Sequence, residues 1–174
     1  GGLPDGTVDA GTLATDSVTA AKLEVSAITS ADLPAGSVLQ VVEGTHSSQE
    51  TTTSTSYVAT YLDAVITPSS TSSKILVTIT FPADIVGSVT HTGGDYAIYR
   101  DSTHILAMNG DSNYSSVSGG TNMATNVSLQ KLDSPSSTSA ITYKLYMRAR
   151  TSNTTMKSCH NSGMGTVTLM EIAG

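Results

Sequence analysis

Tryptophan is absent, phenylalanine and cysteine occur once each, and charged residues make up only 13% of the chain. Each shortage excludes something. A lone cysteine, Cys159, permits no intrachain disulfide. Eight Lys and Arg against 14 Asp and Glu leave a net charge of −6 with no basic cluster, which excludes nucleic acid and anionic membranes as partners, because both require a patch that displaces counterions. No apolar run approaches the roughly 18 residues of a membrane-spanning helix, and no signal peptide is expected. No GxSxG, HExxH, GxxxxGK[ST] or CxxC occurs.

The remaining hints of chemistry are weak. His46, His91, His104 and His160 show no i, i+2 or i, i+4 pair for a chelate. Asp111-Ser112-Asn113 opens like a calcium loop, but no carboxylate follows before Asp133. Asp63 and Asp84 are the only acids in or beside the central strands and read as structural or solvated rather than as a glycosidase pair. Neither a metal nor a cofactor is expected, and the chain reads as a non-enzyme.

What the chain does have is hydroxyls and repeats. Ser and Thr make up about 30% of its 174 residues, a composition suited to β-structure. Residues 1–37 repeat with a period of ten, placing Leu3, Leu13, Leu23 and Leu33 in one column and Val8, Val18, Ile28 and Val38 in another. Asp9, Thr19 and Thr29 follow the first apolar position of each repeat and are good helix N-caps. Val8, Val18 and Ile28 then occupy N′ and Leu13, Leu23 and Leu33 occupy N4, the spacing of a hydrophobic staple. One helical turn is unstable alone, and so few aliphatic side chains form no core within one chain. The spacing therefore predicts a shaft in which Val8, Leu13, Val18, Leu23, Ile28 and Leu33 are buried against their copies about a threefold axis.

From Val38 the period becomes two. Strands are expected over 38–44, 57–66, 74–81, 95–100, 104–108, 122–132, 141–150 and 165–172. In KILVTITF, Ile75, Val77, Ile79 and Phe81 alternate with Leu76, Thr78 and Thr80. In ITYKLYMRAR the odd-numbered residues face the core, leaving Lys144, Tyr146, Arg148 and Arg150 on an outward, solvated or intersubunit face. Asp101-Ser102-Thr103 marks a hairpin. The expected fold is all-β: an eight-stranded antiparallel β-sandwich, jelly-roll-like, over 38–174, preceded by the shaft over 1–37.

The V-T-A-A-K-L and I-T-S-A-D-L decapeptides running into LPAGSVLQVV, followed by ITPSSTSSKILV, YRDSTHI, KLDSPSSTSAITYKLYMR and TLMEIAG, resemble the C-terminal part of bacteriophage tail fibre and related virion proteins. The resemblance spans nearly the whole chain and rests on the order of the segments. It implies a homotrimeric fibre in the virion, extracellular when mature, whose shaft ends in a β-head that contacts the host or another virion component. A start at GGLPDG without Met looks like an excised fragment, so an N-terminal continuation that joins other virion proteins is expected. Three functions fit: an adhesin for a bacterial surface glycan or protein, a structural module such as a head fibre or trimerisation cap, and, more weakly, a polysaccharide depolymerase fragment.

Strand parity predicts where a binding surface lies. Eight antiparallel strands starting at Val38 place loops 44–56, 82–94, 109–121 and 151–164 at one end, the tip, and the shorter connections 67–73, 101–103 and 133–140 at the other. Long loops gathered on a rigid scaffold carry function. His46, His91, Tyr114, His160 and Asn161 are therefore the receptor-binding residues expected at the tip.

Overall fold

The computed structural model describes residues 19, 29, 32–88, 92–108, 113–115 and 120–174. The chain divides into two units, Gly1–Pro34 and Ala35–Gly174. Of the apolar columns, Val8, Leu13, Val18, Leu23 and Ile28 lie outside the described residues, while Leu33 is exposed. At Thr29, expected as an N-cap, the hydroxyl donates to Asp32 and accepts no backbone N–H among the described residues. The Asp32 N–H bonds the Thr29 carbonyl at 3.0 Å, and Asp32 Oδ2 accepts both the Thr29 N–H at 2.8 Å and its hydroxyl at 2.7 Å. Those two bonds, the backbone one first, hold the Asp32 carboxyl below its usual range. The Asp32 carboxylate thus satisfies the Thr29 N–H, but the Thr29 hydroxyl does not accept the Asp32 N–H, so only half of a capping box is made.

Among the described residues the second unit is all-β, with eleven strands: β1 (Val38–His46), β2 (Glu50–Thr52), β3 (Val58–Ile66), β4 (Lys74–Gly87), β5 (Thr92–Arg100), β6 (Thr103–Ala107), β7 (Asn113–Ser115), β8 (Thr121–Asp133), β9 (Ile141–Ala149), β10 (Thr154–Ser158) and β11 (Gly165–Ile172). The eight expected strands are all there. β2, β7 and β10 are three more that sequence reading leaves inside loops, because strands as short as ETT, NYS and TTMKS show no sustained alternation and are held by their neighbours' ladders.

The first sheet is built around β4. β8 pairs with it from Ile75 to Gly87, while β11 and β10 share its other edge, against Lys74–Thr80 and Ala83–Gly87 respectively. β1 then pairs with β11 and β2 with β10. In the second sheet β3, β9 and β5 lie side by side, and β6 and β7 share the far edge of β5. Every pairing is antiparallel.

Sequence reading stops the third strand at Phe81, before a proline. The structure carries β4 through Pro82 and breaks the neighbouring strand instead: β10 ends at Ser158, β11 begins at Gly165, and Cys159–Met164 loop out opposite Phe81 and Pro82. Proline has no N–H to give a ladder partner, so a sheet tolerates it where the facing edge is interrupted. Gly163 closes over the ring, leaving no room for a Cβ beside Pro82 Cγ.

The alternation read from KILVTITF and ITYKLYMRAR holds residue by residue: Ile75, Val77, Ile79, Phe81, Ile141, Tyr143, Leu145, Met147 and Ala149 are buried, and Lys144, Tyr146 and Arg148 face outward. The inner faces of both sheets share one core, crossed by the edge-to-face pair Phe81 and Tyr96 with ring centroids 4.9 Å apart. Each buried aliphatic side chain contributes about 1.5–3 kcal/mol. At one corner the sheets approach so closely that β1 needs Gly44, since a Cβ there would collide with the Asp63 carbonyl of β3.

Connections 67–73, 101–103 and 133–140 gather at one end, as parity predicts, where Val38 and Lys74 both pair with Ile172 and Ile66 pairs with Ile141. The expectation of four long tip loops is overturned. β2, the last turns of β4, the start of β5, β7 and β10 fall inside them. Among the described residues, no helix is long and apolar enough to cross a membrane.

Candidate functional site

Beside the break between β10 and β11, the chain adopts costly backbone conformations. Cys159, Asn161 and Ser162 have φ of 50°, 53° and 57°, three of the five non-glycine residues with positive φ among those described. A left-handed conformation costs a residue with a Cβ about 1–2 kcal/mol, and such strain persists where the surroundings over-determine it.

The surroundings here are specific. Gln49 Oε1, from the β1–β2 connection, accepts the Asn161 N–H at 3.2 Å and lies 3.1 Å from His160 Nδ1. The same nitrogen is 3.6 Å from Asp84 Oδ2. Both neighbours are acceptors, so Nδ1 carries the proton. Asp84 points to the outer face of the first sheet yet is fully buried, because Lys157, its cross-strand partner, folds over it and donates from Nζ at 2.6 Å. Its Oδ1 has no partner.

Cys159 is buried and donates from Sγ to the His46 carbonyl at 3.3 Å. Burial pushes its thiol up, against the bond from the Gly165 backbone and with a smaller push from Glu50, so it is not a thiolate nucleophile. The His46 ring is half-buried, with Nε2 unpartnered, and lies 5.9 Å from the Tyr61 ring.

Tyr61 is the most exposed large hydrophobic side chain described, at 75%; it falls on the outer face of β3 by alternation, with Thr60, Leu62, Ala64 and Ile66 buried. The β3–β9 register shifts between Ala59 and Asp63. In place of ladder bonds, the Glu50 carboxylate accepts the Tyr61 N–H at 2.9 and 3.1 Å, and Thr60 Oγ1 accepts the Leu62 N–H at 3.2 Å while donating to the Leu145 carbonyl at 2.9 Å. Met164, just before β11, is 64% exposed.

Three of the five expected receptor-binding residues therefore come together: His46, His160 and Asn161, linked through Gln49 and Cys159. Their position differs from the expected one. His46 pairs with Gly165 and Thr166 with Thr80, which sets the group partway along β4, whereas the far end lies where Gly87 pairs with Thr121 and Thr154. Tyr114 belongs to β7, opposite Gly93 in the second sheet, and does not join it. His91 lies outside the described residues.

Gln49, Glu50, Tyr61 and Asp84 were missed as site residues. Asp84 and Tyr61 occupy strand positions with no motif around them; alternation puts each on an outer face, and only tertiary pairing sets them beside His160 and His46. Asp63 and Asp84, the acids weighed as a glycosidase pair, lie on different sheets, the first bonded to Lys144 at 2.8 Å. Among the described residues no group of three or more His, Cys, Asp or Glu side chains is placed to hold a metal ion. The arrangement offers an aromatic ring, amides and a thioether to a ligand, with its buried acid charge-paired, which is chemistry for binding. No protein-family model matches the chain, and no curated protein matches it.

Proposed function

We propose that this chain is the end of a homotrimeric virion fibre, with a decapeptide-repeat shaft and a jelly-roll-like head that binds a receptor on a bacterial surface without acting on it as an enzyme. The observation that carries the binding role is the strained segment Cys159–Ser162, held by Gln49 beside the outward-turned Tyr61. A purely structural cap has no need of a strained loop whose left-handed Asn161 and Ser162 are exposed to solvent. The order of decapeptides and head segments supports the virion setting.

Self-association is supported by the outer face of the first sheet. Val41, Met170, Leu76 and Leu132 stand in register across β1, β11, β4 and β8, with Val41 56% and Leu132 50% exposed. The next row, Glu43, Thr168, Thr78 and Gln130, is polar. An apolar row confined to the end where β1 begins suits contact between heads whose N-terminal segments run together.

The test is adsorption of the full chain to bacterial cells, read by retention on washed cells. Tyr61→Ala, His160→Ala and Asn161→Gly should each lower retention, and Ser102→Ala, in the β5–β6 turn, should not. Retention unchanged in all three, or no adsorption to any of a broad set of bacteria, would refute the reading.

A further inference from the structure

β8 is the longest strand after β4 and lies at the rim of the first sheet. It pairs with β4 on one side, in a register that runs unbroken from Asp133 opposite Ile75 to Thr121 opposite Gly87. Among the described residues, no strand pairs with its other side. Such a rim is a row of backbone donors and acceptors without partners, and folded proteins ordinarily blunt it with proline, a bulge or charged side chains. Between Thr121 and Gln130 β8 has none of these: the segment reads TNMATNVSLQ, and its ladder with β4 has no bulge.

Pro82 fixes which groups the rim presents. Its nitrogen faces the side of β4 where β10 and β11 are interrupted, so the Pro82 backbone turns away from β8. Its cross-strand partner Asn126 therefore turns its own N–H and C=O away from β4, to the open rim. Asn122, Ala124, Ser128 and Gln130 do the same, since backbone direction alternates along a strand. The side chains of these residues are exposed on the outer face, whereas Met123 and Thr125 are half-buried on the inner side and Val127 and Leu129 are buried.

We infer that β8 is the docking surface for β8 of a second copy of this chain, the two strands pairing antiparallel about a two-fold axis through Asn126. The segment is complementary to itself in that register. Asn122 stands opposite Gln130, Ala124 opposite Ser128 and Asn126 opposite its own copy, each exchanging backbone bonds across the rim. On the inner side Met123 meets Leu129 and Thr125 meets Val127. No charge is opposed or covered: Lys131 falls opposite Thr121, and Asp133, already bonded by Arg100 and Tyr143, lies beyond the paired stretch. Moving the axis by one residue sets Met123 against Lys131 in one direction and Gln130 against Gly120 in the other, so the match is best at Asn126. The pairing joins β1, β11, β4 and β8 of each copy into one continuous sheet. It uses neither the shaft nor the outer-face apolar row, so it links one fibre to another side by side; that consequence rests on the trimer reading, the pairing itself does not. A contact of one strand on each side is smaller than a standard interface, so it forms as concentration rises.

The experiment compares sedimentation of the full chain with that of Asn126→Lys, which sets two like charges face to face on the axis. The parent mass should double between micromolar and near-millimolar concentration, starting from whatever assembly the shaft sets. The variant should need a concentration roughly tenfold or more higher. Asn126→Cys should form an interchain disulfide under mild oxidation, because directly paired strand residues lie within the Cα separation that a disulfide spans. The native Cys159 is buried and does not compete. Ser102→Cys, in the β5–β6 turn, should not cross-link. A parent mass that stays constant over that range, or cross-linking of Asn126→Cys no faster than that of Ser102→Cys, would overturn the inference. Doubling that Asn126→Lys leaves unchanged would place the contact elsewhere and overturn it too, with the trimeric shaft and the binding role of the head untouched.

Discussion

Replacing Glu171 with alanine should be among the most destabilising single changes in the head. Glu171 is fully buried at the end of β11. Its Oε1 accepts the Ser69 N–H, the Ser69 hydroxyl and the Ser73 hydroxyl, each at 2.7 Å, and Oε2 accepts the Gln40 amide at 2.5 Å. One carboxylate thus ties the 67–73 connection and β1 to the C-terminal strand. Hydrogen bonds to a charged group contribute about 1.5–3 kcal/mol each, so four give roughly 6–12 kcal/mol gross. Taking the carboxylate out of water costs several kcal/mol of that. Truncation also leaves the Ser73 hydroxyl, 1% exposed, without its acceptor. The gross bonding less that desolvation leaves a net loss of about 3–5 kcal/mol. For a unit of this size that is about 10–15 °C in Tm.

The pH dependence provides an independent check. Burial pushes the Glu171 carboxyl up, but the bonds from Ser73, Gln40 and Ser69 outweigh it and leave the group below its ordinary value of 4.5. A carboxyl depressed in the folded state contributes stability that is fully present above the unfolded value and is lost as pH falls through the folded one. Denaturant titrations of parent and Glu171→Ala should therefore differ by a constant amount from neutral pH to about pH 5, and converge below the ordinary carboxyl range. A gap under about 1 kcal/mol at neutral pH, or one that persists unchanged in strong acid, would refute the assignment of four charge-assisted bonds.

Two further predictions concern assembly and the lone cysteine. Sedimentation should give a mass near three times 17.8 kDa, and Leu13→Ser with Leu23→Ser should make the N-terminal segment sensitive to limited proteolysis while the head stays resistant; a folded monomer at micromolar concentration would sink the shaft. Cys159 in the native protein should react with a thiol reagent at mildly alkaline pH roughly tenfold or more slowly than in denaturant, because burial raises its thiol and covers it. Equal rates would show that the segment does not hold.

The strands of the core were legible because burial on one face of a sheet writes a period of two directly into the chain. Ile75 to Phe81 and Ile141 to Ala149 needed no tertiary information. The outer face of the second sheet was half legible: alternation put Tyr146 and Arg148 on the outside of β9, but nothing in the sequence states that β5 and β6 lie alongside and stack Tyr99 and His104 in the same row. β2, β7 and β10 exist only because a longer strand offers each a free edge. The break opposite Pro82 illustrates the limit. A proline read along the chain ends its own strand, whereas in the sheet the missing N–H is a problem for the neighbour, so the loop appears at Cys159–Met164, far away in sequence. That displacement gathers His46, His160, Asn161 and Tyr61. Local patterns decide which residues become strand and which side they face; register between strands, a property of the pair rather than of either one, decides which of them meet.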